Sequence, residues 1–305
     1  MIKKYKRVVC VLVALLMSVS LFACSAPTLE ESLDDRIEKT CEFATEIVTD
    51  PISAPTGGEW LIIALVKAGM DIDDEYIQIY KDNLSAKVKS SKGILNEEFY
   101  TEYARVSLAL CEIGEDPTNF MGYDLVRPLD DMKMIKEQGV NAAIYALIAS
   151  NRAGVKLENE ENYLDYIIGE STDGTFYPDT VTSVDYTAMA LHALSYYQDR
   201  EEVKVLIEKQ IEALSSLQTI NGSYGTSEGT SEAIIALCSV GIDPFTDERF
   251  IKDGNSLGES LLLYAHEDGF KHIVKETEIN QMSTEDVLMA MNAMILQREG
   301  KKLYW

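Results

Sequence analysis

Histidine is scarce. Only His192, His266 and His272 occur in 305 residues, which leaves little support for a histidine metal cluster or a Ser-His-Asp arrangement. His192 falls inside an apolar helical stretch, as a core histidine would, while His266 and His272 flank a Gly269 turn and read as surface residues. Cysteine gives no framework either. Cys10 and Cys24 sit at the N-terminus, and Cys41, Cys111 and Cys238 are an odd set without the close spacing of a disulfide scaffold or a zinc knuckle. Basic residues are outnumbered, 27 Lys+Arg against 51 Asp+Glu for a formal net charge of −24. No basic stripe offsets that excess, so a polyphosphate would be repelled and nucleic acid is excluded as a partner. The same charge suits a solvated extracellular surface and favours cations or cationic ligands. Tryptophan is nearly absent, with Trp60 and the terminal Trp305 alone.

What is present begins with an address. Lys3, Lys4, Lys6 and Arg7 precede an apolar run from Val8 to Ala23, broken by Ser18 and Ser20 alone, the pattern of a signal peptide; the run is short for a membrane span of roughly 20 residues. It ends Leu21-Phe22-Ala23-Cys24, which resembles the bacterial lipobox, where the cysteine is acylated and becomes the new N-terminus. The expected organisation is therefore a cleaved segment 1–23, a lipidated Cys24 with a short tether over 24–32, and one domain over 33–305. This places the protein outside the cytoplasm, anchored to the outer face of the cytoplasmic membrane.

The domain carries an internal repeat, which decides architecture. Ala-Leu, or Ala-Met in the last copy, recurs at Ala64, Ala109, Ala146, Ala193, Ala236 and Ala293, each with a small or aliphatic residue three positions earlier on the same helical face. Between these apolar stretches lie amphipathic ones, roughly 33–48, 74–88, 130–137, 158–168, 201–217 and 256–266. Gly69, Gly114, Gly154 and Gly241 follow the apolar helices as C-terminal caps. Gly93, Asp173-Gly174, Asn221-Gly222 and Asp268-Gly269 precede them as turns. The pattern predicts an all-α fold of six helical hairpins with inner apolar and outer amphipathic helices.

These residues resemble the prenyltransferase and squalene-cyclase superfamily. Gln218-Thr219-Ile220-Asn221-Gly222-Ser223-Tyr224 is similar to its QxxxGxW repeat with Tyr in the Trp position, and Asp173-Gly174-Thr175-Phe176 and Asp268-Gly269-Phe270 look like worn copies. The resemblance implies an (α/α)6 toroid spanning the mature chain. It extends to toroids in exported proteins of Gram-positive anaerobes and to the cobalamin-binding domain of the intrinsic factor and transcobalamin group. One toroid hosts cyclases, lipid transferases and plain binders, so the fold does not name the function.

Asp71-Ile72-Asp73-Asp74 spells the DxDD acid of class II terpene cyclases, with Asp73 or Asp74 as the candidate, but it sits in a loop where aspartates ordinarily start the next helix. Cys111 and Cys238 lack the Asp two residues earlier that zinc prenyltransferases use. A further set follows from the repeat register. Eight positions before each Ala stand Thr56, Thr101, Gln138, Asp185, Glu228 and Glu285, with Glu59, Glu102, Asn141, Tyr186, Glu232 and Asp286 nearby. Helix capping explains much of this. If the inner helices run parallel, they also gather a polar mouth at one rim, with Glu59, Trp60, Tyr100, Tyr103, Asn141, Asp185, Tyr186, Glu228, Glu232 and Glu285 as candidate ligand-binding residues. The reading favoured is a lipid-anchored, non-catalytic binding module for a small molecule such as a cobalamin-like cofactor, or for a peptide or glycan; no cofactor or metal is required, and a divalent cation is a further candidate ligand. The alternatives are an enzyme, either cyclase-like or glycan-processing with Asp185 and Glu232 as its carboxylates, and a structural or adhesive module. A deep cavity of acids and aromatics with a carboxyl of raised pKa would favour an enzyme. A wide polar mouth would favour binding, and a core plugged by Met and Leu would favour structure.

Overall fold

The apolar periodicities fold as helices. The computed structural model describes residues 28–304, so the segment read as a signal peptide, the acylation site Cys24 and Trp305 lie outside the described residues. Helices α1 to α11 run Leu29–Ile47, Glu59–Lys67, Glu75–Ser90, Thr101–Glu112, Met132–Gln138, Val140–Arg152, Glu160–Glu170, Ser183–Leu194, Glu201–Leu217, Ser227–Ser239 and Gln281–Arg298. Strands are confined, among the described residues, to two antiparallel hairpins of two-residue strands. No helix among them is long and apolar enough to cross a membrane.

The six repeated alanines fall one each in α2, α4, α6, α8, α10 and α11, and every one is buried together with the residue three positions before it. Small buried side chains at that spacing let helices approach closely. Accordingly α2 packs on α4, α4 on α6, α6 on α8, α8 on α10, α10 on α11, and α11 packs back on α2. The amphipathic elements lie against this set: α1 on α11, α5 and α7 on α6, and α9 on α8.

The turns repeat as well. Gly69 has φ +99° after α2, and the Met70 N–H donates to the Leu65 carbonyl at 3.0 Å; the same turn recurs at Gly114, Gly154 and Gly241. A left-handed residue lets the chain fold back over the last orphan carbonyls. At the other helix ends, Phe176, Tyr224 and Phe270 donate their N–H groups to hydroxyls of Thr187, Thr230 and Thr284 in the following helix, at 3.1, 3.1 and 3.0 Å. Gln218 of the repeat motif bridges the Gly222 and Phe250 carbonyls at 2.7 and 3.0 Å.

Two expectations are corrected. Residues 256–266 do not form an amphipathic α-helix. Asn255–Ser256 (β2) pairs back on Ile251–Lys252 (β1), a 3-10 helix runs Glu259–Tyr264 against α10, and Ala265–His266 (β3) pairs with Gly269–Phe270 (β4). Left-handed Asp253, Gly254 and Glu267 close two tight turns, which draw the residues on either side of them into strand pairs in place of helix. Helix α1 starts at Leu29, inside the stretch read as tether. Thr28 and Glu31 form a capping box there, and the Glu259 carboxylate accepts from the N–H groups of Leu29 and Glu30 at 2.8 and 3.0 Å.

Gly174 shows how tightly the layers meet. It has φ +90°, and a Cβ there would stand 2.6 Å from the Lys209 backbone carbonyl of α9. Gly174→Ala is expected to cost about 1–3 kcal/mol in urea unfolding. A change below about 0.5 kcal/mol would show that α9 does not pack there.

Candidate functional site

A cavity of about 160 Å³ lies among the alanine-bearing helices. Its polar and aromatic walls are Trp60 from α2, Tyr145 from α6, His192 from α8, Glu232 from α10 and Asp286 from α11. The helical repeat aims these side chains inward. Glu232 and Ile235 stand one turn apart on α10, and Met282, Asp286 and Met289 recur at i, i+4 and i+7 on α11. Pro55 and Met282 are exposed at the surface end, so the cavity reaches solvent, while buried Tyr304 and His192 line it at the other end. Trp60 and Tyr145 meet with ring centroids 5.6 Å apart, and His192 stacks on Tyr304 at 5.4 Å and 8°.

Electrostatics single out the carboxyls. Burial, then the neighbouring Asp185 charge, push Glu232 up to about 8, with the Tyr145 hydroxyl pulling the other way. Asp286 is raised well above its ordinary range by burial and by Glu232, Glu228, Glu285 and Asp185. Its carboxyl has no hydrogen bond or ion pair among the described residues. Asp185 is pushed up to about 6 by burial and Glu228, and Glu285 to about 7 by burial. His192 goes the other way, down to about 4, through burial and then Lys302. At neutral pH the Glu232 carboxyl is therefore held protonated, beside a neutral His192 imidazole.

Of the residues read as a ligand-binding rim, Trp60 and Glu232 line the cavity. Several others tie neighbouring helices together. Glu59 is fully buried, 3.2 Å from the Arg105 guanidinium, and accepts from the Tyr80 hydroxyl at 3.3 Å. Glu228 accepts from the Ser283 hydroxyl of α11 and stands 2.7 Å from His272. Asp185 abuts Gly229 of α10. Glu285 accepts from the Gly57 N–H at 2.7 Å and the Gln281 amide at 2.8 Å. Thr101 donates its N–H to Gln138 at 3.3 Å, and Glu102 pairs with Lys87. Tyr103 is buried, accepts from the Leu95 N–H and carries Tyr100 edge-on at 5.4 Å. Tyr186 packs edge-on to Tyr177 at 4.7 Å. Asn141 keeps a buried Oδ1 without a hydrogen bond. The DxDD acids are exposed loop residues: Asp74 caps α3 by accepting from the Tyr76 N–H at 2.8 Å, and the Asp73 N–H donates to Asp71.

Sequence reasoning passed over Tyr145, Met289 and Tyr304, and named Asp286 only as a neighbour of the rim. Tyr145 directly precedes a repeated Ala, so the register did contain it. Tyr304 follows the last helix and carried no signal. Among the described residues no group of three or more His, Cys, Asp or Glu side chains is arranged to hold a metal ion. Compared with known proteins, the chain matches no family and no curated protein.

Proposed function

We propose that this protein is an exported, lipid-tethered binding module in which six helical hairpins close into an α/α toroid and the central cavity receives a small ligand. The N-terminal basic and apolar segments with Cys24 support the tether, and the return of α11 onto α2 supports the closed toroid. The worn QxxxGxW copies support kinship with the prenyltransferase and squalene-cyclase superfamily. The single observation that carries the binding reading is the solvent-connected cavity whose walls combine aromatic faces with a carboxyl, Asp286, that no protein group satisfies. Asp286 is partly exposed to this solvent-reached space, so a ligand that enters would replace water at a carboxyl the protein itself leaves unpaired. Drug-sized ligands fill roughly 300–1,000 Å³, so a small molecule or one end of a peptide or glycan suits this cavity; a cobalamin-like ligand would lie across its mouth.

A second reading has a specific observation behind it. Carboxyls held protonated beside aromatic rings are what general-acid catalysis needs, and this would be an acid–base enzyme using Glu232 and Asp286.

A thermal-shift screen of small amines, sugars, amino acids and short peptides tests the proposal. A ligand at 100 times its Kd is expected to add about 2.7 kcal/mol of stability, and Trp60→Leu should abolish that gain. Stabilisation that survives Trp60→Leu would move the site elsewhere, and slow conversion of a stabilising ligand would favour the enzyme.

A further inference from the structure

The walls of this cavity carry more information than its existence. Its charged groups are all of one sign. Glu232 and Asp286 line it, and Asp185 and Glu285 flank them from α8 and α11. Glu228 is the next acid along α10, held between Ser283 and His272. The cations that approach are placed at the flanks: Arg105 of α4 is paired with Glu59, and Lys302 stands beside His192 at the inner end. Trp60 and Tyr145 line the same space with ring centroids 5.6 Å apart and planes tilted by 46°, and Tyr304 is part of the same wall. A metal ion wants three or more hard ligands converging on one point, and no such group exists among the described residues. An organic cation wants something else: ring faces around its apolar shell and a carboxylate near its charge.

We propose that the central cavity is an aromatic and carboxylate cage for a small organic ammonium ion, with Trp60 and Tyr145 as the rings and Glu232 and Asp286 as the counter-charges. This rests on the reading of the cavity as a binding site and names the class of ligand it takes. A quaternary or primary ammonium group seated there satisfies the unpartnered Asp286 carboxyl and sits over the indole and phenol faces. Met282 and Met289 line the remaining wall with polarizable thioethers that conform to an alkyl shell.

The arrangement of the acids has a consequence for protons. Carboxyls that face one another without a cation keep their protons, and an entering cation replaces one of them. Binding should therefore release a proton and tighten as pH rises, in the range where Glu232, near 8, gives up its proton. Asp185 faces the same acids from α8 and contributes to the profile, and His272 pairs with Glu228 beside them. His192 does not, because its proton is already lost at about 4.

Calorimetric titration of the purified protein with tetramethylammonium and with neopentyl alcohol, its uncharged counterpart of similar shape, tests this. Tetramethylammonium is expected to bind saturably and at least about tenfold tighter than the alcohol, more tightly at pH 8.5 than at pH 6, with heats that track the ionisation enthalpy of the buffer. Asp286→Asn and Glu232→Gln, which mimic the protonated carboxyls and should fold, are expected to lose the charge preference while keeping any alcohol binding. Trp60→Leu should weaken both probes. Equal affinity for the two probes would overturn the ammonium assignment and leave the cavity standing as a site for neutral ligands. Binding of neither probe, while another compound still stabilises the protein through Trp60, would overturn it in the same way. Silence of every probe and of the whole thermal screen would remove the binding site itself.

Discussion

Arg105→Leu is expected to destabilise the protein by about 3–5 kcal/mol at pH 8, the usual cost of stripping one partner from a buried ion pair. Its partner Glu59 is wholly excluded from solvent, and the Arg105 side chain is only 14% exposed. Burial raises the pKa of Glu59, and the Arg105 charge is the chief influence holding it down. Without that guanidinium, the Glu59 carboxylate either remains charged in an apolar setting or takes up a proton. The sign follows. A carboxyl whose folded pKa lies above its unfolded value stabilises fully below the unfolded value and loses that stability as pH rises through the folded value. The penalty of Arg105→Leu should therefore shrink toward pH 5, where protonating Glu59 costs little. Urea unfolding at the two pH values measures both quantities. A loss below about 1 kcal/mol at both would mean that the pair is solvated and does not tie α2 to α4.

The cavity acids predict a second large effect, also of unusual sign. Glu232, Glu285 and Asp185 have folded pKa values of about 8, 7 and 6, and Asp286 is raised well above its ordinary range. Each contributes stability that is complete near pH 4 and is lost as pH rises through those values. Most proteins gain stability over much of that window, whereas this one should lose it between pH 5 and 8.5. Glu232→Gln removes one ionisation and relieves its neighbours, so the variant should be the more stable protein at pH 8.5, by on the order of a few kcal/mol, and nearly equal at pH 4.5. Thermal melts across that range check the result. The general acidity of the surface also disfavours the folded state at high pH, but it is common to both proteins, so the difference between the two curves isolates the cavity. Parallel curves would show that Glu232 is hydrated.

Much of the helical frame was legible because it rests on periodicity and small-residue spacing. Ala64, Ala109, Ala146, Ala193, Ala236 and Ala293 are all buried, and the expected span 201–217 is the span of α9. The C-terminal glycine turns were legible for the same reason, since only a left-handed residue closes them at low cost. The expected helix over 256–266 failed because two tight turns, at Asp253-Gly254 and around Glu267, override a short apolar pattern. The start of α1 was written in Thr28-x-x-Glu31, a capping box that the tether reading passed over.

The site was legible in part, and the division has a physical cause. Counting back from the repeat finds which residues share a helix end, and it located Asp185, Glu228 and Glu285. It cannot tell whether a side chain at that end points along the helix boundary or into the space between helices. Glu228 and Glu285 went to boundaries and serve as ties, while Glu232, one turn further along α10, reached the cavity. His192 reads as a core histidine, and it is both buried and a wall of the cavity, because a cavity wall is core on three sides. Tyr304 joins it from beyond the last helix, a contact that no periodicity announces.

The most direct test of the binding cavity is a crystal structure of the protein grown with tetramethylarsonium, which keeps the shape and charge of tetramethylammonium and scatters anomalously at the arsenic edge. The account predicts one strong anomalous peak between Trp60, Tyr145, Glu232 and Asp286, absent from crystals of Asp286→Asn. A peak elsewhere, or a cavity collapsed around its own side chains with no peak, would contradict it.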